Sequence, residues 1–193
     1  MFNEKAKAQD IVAAGIERHV GFSDSAKAGG VYTIKCFDKD GNLKWEGSSH
    51  NLVVNVGLKD MNDKYFSGSS YTAAWYLGLI TGPGSGTTYS ASDTMSSHSW
   101  TEDTNYSQST RPACSFGSAT TADPSVITNS GSPATYSING TTTIAGAFLT
   151  SNSTKGGSTG ILFSESDFQS PGDRSVVSGD TLTVTYTFSL DAA

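Results

Sequence analysis

The chain has 193 residues, 36% of them hydrophobic and 10% aromatic, with a formal net charge of −6. That apolar content excludes global disorder, and the acidic balance excludes a general nucleic-acid binder, which needs a basic surface to displace counterions from phosphates. Charged residues are only 16%; Ser, Thr and Gly take their place, as suits sheets joined by many turns.

Charge divides the chain. Residues 1–64 hold nine of the twelve basic and nine of the eighteen acidic side chains, so the remainder carries the whole −6. No apolar run reaches the 18 residues of a membrane span. Met1-Phe2-Asn3-Glu4-Lys5 lacks the apolar stretch of a signal peptide. Cys36 and Cys114 make no disulfide framework and are read as two separate thiols.

Residues 3–19 read as a helix, with Asn3 as cap and Ala8, Ile11, Val12 and Ile16 at helical spacing. Bulk is scarce and Gly15 weakens the segment. With the glycines of 21–30, this makes residues 1–30 an arm that orders by docking, ahead of a β domain at 31–193. Val31–Phe37 and Leu43–Glu46 alternate around Asp38-Lys39-Asp40-Gly41-Asn42, a strong hairpin signal. The aspartates suggest an EF-hand loop, but Leu43 occupies its obligatory glycine position and Ser49 its twelfth.

Asn51–Asn55 is a short extended run. Val56, Leu58, Met61, Tyr65 and Phe66 then predict a helix capped by Asn55, one apolar face covering a sheet. Ala73–Ile80 is nearly continuous and apolar, the mark of a central strand buried on both faces. A hydroxyl-rich stretch from Thr81 to Arg111 follows; its Gly82-Pro83-Gly84-Ser85-Gly86 lacks the Gly-Lys-Ser/Thr of a phosphate loop. Further strands are expected at Arg111–Phe116, Ala134–Ile138, Thr142–Leu149, Gly160–Phe168 and Asp180–Leu190. In the last, Leu182, Val184, Tyr186, Phe188 and Leu190 alternate with hydroxyl residues and should face one core. Even spacing of short strands argues for a mainly β fold, an antiparallel β-sandwich such as a jelly roll, with one covering helix.

The residues offer little chemistry. His19, His50 and His98 have no metal-ligand spacing, and no Gly-x-Ser-x-Gly elbow occurs. The carboxylate pairs Glu102-Asp103 and Glu165/Asp167 could serve glycoside hydrolysis, but their Ser- and Thr-rich surroundings read as solvated turns, although Glu165 and Asp167 would share a strand face. Trp45 and Trp75 sit in apolar strands, as core residues do; Trp100, between Ser99 and Thr101, reads as the exposed one, able to serve as a sugar platform. No catalytic, metal or cofactor site is expected.

Three stretches carry a resemblance: Ala26–Tyr32, Asp38–Trp45 and His50–Leu58. Trp75–Leu79, Ser92–Met95, Ile144–Leu149 and Ser178–Leu182 extend it to about residue 190. The chain resembles small β-rich virion structural proteins of tailed bacteriophages. The resemblance brings no active-site residues. It implies a capsid decoration or cement protein that binds the outside of the major capsid protein shell, self-associates as a trimer or dimer, and assembles in the host cytoplasm. The alternative is a tail or tail-fibre component that binds a host receptor, with Trp100 and the 81–110 loop as contacts. The family tends to begin near Ala26, so the residues before it read as an added anchor.

Overall fold

The computed structural model describes residues 26–68, 70–71, 73–82, 88–168 and 172–192. Its architecture follows from the alternation of the last strand, β11 (Thr181–Ala192). Leu182, Val184, Tyr186 and Phe188 are buried on one face and the intervening threonines are half-exposed, as a period of two requires. Leu190 lies beyond the buried stretch and is exposed.

Strand β1 (Ala26–Phe37) pairs antiparallel with β11 along its whole length, from Ala26↔Ala192 to Phe37↔Thr181. Residues 26–30, expected at the end of an arm, therefore belong to the sheet; residues 1–25, with the expected helix and His19, lie outside the described residues. The Asp38–Asn42 turn leads into β2 (Leu43–His50). Asp38 accepts bonds at Oδ1 from the backbone N–H of Asp40 (2.9 Å) and Asn42 (2.8 Å), so the aspartate signal is that of a side-chain-capped turn.

Two short strands, β6 (Ser125–Thr128) and β7 (Ala134–Ser137), share the other edge of β11. Buried Asn129 bridges the gap between them. Its Oδ1 accepts from Tyr186 N (2.7 Å) and its Nδ2 donates to Val184 O (3.3 Å), so a side chain continues the ladder.

The second sheet runs β3 (Leu52–Val53), β9 (Leu162–Asp167), β8 (Thr142–Thr150), β4 (Tyr76–Thr81), β5 (Thr101–Asp103), with β10 (Arg174–Val176) also paired to β8. The two antiparallel sheets face each other as the expected β-sandwich. Their main core joins Tyr32, Ile34, Val184 and Tyr186 of the first sheet to Leu77, Leu79, Leu149 and Phe163 of the second. Three buried tyrosine hydroxyls cross between the sheets. Tyr32 and Tyr186 meet Ser164 Oγ at 2.7 and 3.2 Å, and Tyr136 donates to Leu77 O at 2.8 Å.

The second sheet is buried on its outer face too. Ile80, Phe148 and Leu162 project there and pack with Val54, Met95 and Trp100. A segment spanning residues 88–100 thus forms a third layer, which explains the unbroken burial within β4 and β8. Helix α1 (Asn55–Phe66) covers β9. Its cap residue is Val54, and Asn55 is already helical. Of the expected apolar face, Val56 and Met61 are partly buried and pack against the two cores. Gly57 is its one buried residue, and a Cβ there would stand 2.5 Å from Phe163 O, so close backbone approach seats the helix. Leu58, Tyr65 and Phe66 are exposed.

The segment expected as a strand at Arg111–Phe116 is irregular and bridges Tyr76 only at Ala113; Pro112 removes a ladder donor. No helix among the described residues is long and apolar enough to cross a membrane.

Candidate functional site

Three places concentrate functional side chains. The first is under the third layer. Alternation along β9 sends Ser164 and Ser166 inward and Glu165 outward, beneath residues 88–100. Glu165 is fully buried. Trp100 Nε1 donates to Glu165 Oε2 (2.7 Å) and Ser90 N to Glu165 Oε1 (3.1 Å). Ser90 N also lies 3.2 Å from Asp93 Oδ2, so two buried carboxyl groups converge on one N–H. Burial, then the Asp93 charge, pushes the Glu165 carboxyl up to about 7, against the opposing bonds from Trp100 and Ser90. Near neutrality the Glu165 carboxyl is therefore only partly ionised.

This corrects two expectations. Trp100 is not an exposed platform but 4% exposed, its ring 4.6 Å from Phe148 and stacked on His98 at 3.5 Å. Glu165 is not a solvated turn residue. Asp167 does share its strand face; burial and Asp173 raise its carboxyl. Buried acids of raised affinity for protons are common in catalytic clefts; neither of the two clefts described below is lined by this one.

The second place is the expected Glu102-Asp103 pair. Arg111 is 1% exposed. It forks onto Glu102 through Nε (2.9 Å) and Nη2 (2.7 Å), donates to Asn152 O and Gly157 O at 2.8 and 2.7 Å, and lies over the Phe148 ring at 5.2 Å. Asp103 is fully buried and accepts from Asn105 N (2.9 Å) and Thr142 Oγ1 (2.5 Å). Both carboxylates thus fasten loops 104–111 and 151–157 to β5. They do not flank an open cleft as a glycosidase pair does.

The third place is on the surface. Tyr65 and Phe66, at the end of α1, are 84% and 78% exposed and meet edge to face at 4.9 Å. Tyr71 is half exposed and accepts from Trp75 Nε1 at 2.7 Å. Trp75, expected in the core, is only partly buried. It lines two clefts, one of about 340 Å³ with Cys114 and Phe116, the other of about 250 Å³ with Asp60, Lys64 and Tyr71.

His50 is exposed on β2 and His98 is half-buried, its Nδ1 2.8 Å from Trp100 O. Cys36 and Cys114 are buried and unpaired; burial pushes the thiols up to about 11 and about 12, so both are weak nucleophiles. Among the described residues no group of His, Cys, Asp and Glu could hold a metal ion. Comparison with protein-family models, curated proteins and solved structures finds no match.

Proposed function

We propose that the chain is a structural component of a tailed-bacteriophage virion, a decoration protein that binds the outside of the major capsid protein shell and stabilises it. One observation carries the reading beyond the sequence resemblance: the exposed Tyr65–Phe66 pair at the end of α1. Large aromatic side chains left in water on an otherwise well-buried fold mark contact surfaces. The groups best suited to chemistry, Glu165, Asp93, Glu102 and Arg111, serve instead as internal fastenings. A rigid sandwich with a sticky aromatic rim suits a part that adds contact area at a joint, and many copies on one shell gain avidity.

The test mixes purified protein with empty shells and follows co-sedimentation and shell melting. Binding and a raised melting temperature are expected, both lost in Tyr65→Ser/Phe66→Ser. Shells that neither bind the protein nor shift in melting count against the reading.

The clefts beside Trp75 and Tyr71 favour a second reading, a tail or fibre component that binds a host receptor. Burial of Trp100 moves the contact for that reading from the 81–110 loop to Tyr71 and Trp75. Labelling at the tail in electron micrographs would decide for it.

A further inference from the structure

The two edges of the first sheet are finished differently. At the far edge loops cap the strands. Gly117 N donates to Thr128 O (3.0 Å) and Thr120 N to Val126 O (2.9 Å), which closes β6. Ser107 N donates to Ser137 O (2.9 Å) and Ser137 N to Gln108 Oε1 (3.2 Å), which closes β7. At the near edge β2 has β1 on one side and, among the described residues, no strand on the other. An open strand invites a partner unless proline, a bulge or free charge guards it. β2 has no proline, and its pairing irregularity lies at the hairpin end, between Cys36 and Phe37. Its charges are engaged within the sheet, Lys44 with Asp180 at 2.6 Å and Glu46 with Lys35 at 3.1 Å.

The register tells which backbone groups point outward. Asn51 N donates to Gly30 O at 3.0 Å. Antiparallel alternation then makes Tyr32↔Ser49 and Ile34↔Gly47 the hydrogen-bonded positions. Glu46, Ser48 and His50 turn their N–H and C=O away from β1, and all three residues are exposed. The His50 carbonyl already accepts from Ser166 Oγ at 2.9 Å, which leaves it one lone pair.

An antiparallel copy of the same strand meets this row in a register that charge selects. Centred on Ser48, the pairing sets Ser48 against Ser48 and Glu46 against the second copy's His50, twice by symmetry. Centred on Glu46, it sets carboxylate against carboxylate, which is unfavourable directly across strands. We propose that β2 is a self-association edge, where two copies join antiparallel about Ser48 across a two-fold axis into one continuous sheet. Such an isologous contact closes on itself. The dimer forms in solution and does not depend on the capsid reading.

Sedimentation of the full chain tests it. The wild type is expected at twice the 20.1 kDa chain mass. Ser48→Pro removes an outward N–H and spares the β1 ladder, so a folded monomer is expected, with folding checked by circular dichroism. His50→Glu sets two carboxylate pairs face to face and should weaken association about tenfold or more. Glu46→His/His50→Glu exchanges the two partners and should restore it, a result independent of how Ser48→Pro folds. A wild type that stays monomeric, an assembly indifferent to Ser48→Pro and His50→Glu, or an exchange variant no better than His50→Glu would each overturn the proposal.

Discussion

Replacing Arg111 by alanine should produce one of the largest stability losses available to a single substitution here. The guanidinium makes four hydrogen bonds, two to Glu102 and one each to Asn152 O and Gly157 O, and its plane covers Phe148. Both charged side chains are buried, Arg111 at 0% and Glu102 at 8% exposure. Removing the cation strands a buried carboxylate and two carbonyls. Breaking a buried pair in this way costs about 3–5 kcal/mol. For a chain of this size that lowers the melting temperature by roughly 6–20 °C. Arg111→Lys keeps the charge but not the fork, and should recover only part of the loss. Arg111→Met/Glu102→Met removes both charges and should be more stable than Arg111→Ala, because no ion is left unpaired. Urea unfolding followed by tryptophan fluorescence measures all three. A loss below about 1 kcal/mol for Arg111→Ala, or a double variant no better than the single, would show that the pair is not the fastening described.

Glu165 makes stability depend on pH with a predictable sign. Its folded-state affinity for protons is raised, from an ordinary 4.5 to about 7, so the folded state binds more protons than the unfolded one across that window. The Glu165 contribution to stability should fall as pH rises from about 4.5 through about 7, by at most ~1.4 kcal/mol per unit, and Glu165→Gln should reduce the slope in pH-dependent urea titrations, leaving the smaller contribution of Asp167. Gly57→Ala would stabilise an isolated helix. Here its Cβ would meet Phe163 O at 2.5 Å, so a loss of about 1–3 kcal/mol in thermal unfolding is expected, and a gain would mean α1 does not press on β9. Tyr65→Ser and Phe66→Ser should leave folding stability within about 0.5 kcal/mol while shell binding disappears; comparable losses of both would place the pair in the core.

The parts of the fold that local pattern controls are legible in the sequence. β11 shows its alternation because its two faces see different surroundings, and the β1–β2 hairpin shows its turn because Asp38 caps it locally. The β6 and β10 strands left no comparable signal, having only four and three residues. The site is not legible where burial depends on distant chain. Trp100 and Glu165 both sit among hydroxyl residues, but they are 65 positions apart and bury each other through the third layer. Arg111 reads as the start of a strand, because the carbonyls it serves lie 41 and 46 residues away. In α1 the apolar spacing points to a buried face; Val56 and Met61 supply part of it, and the closest approach is made by Gly57, which periodicity ignores. The exposed Tyr65 and Phe66 follow from that geometry and carry the surface reading.

Whether this sandwich is a part of a virion shell is tested most directly by imaging intact particles with the protein labelled. Density is expected at regular lattice positions on the outside of the head, in many copies, with the α1 end and its aromatic pair against the capsid. Label confined to the tail, or absent from purified particles, would contradict it.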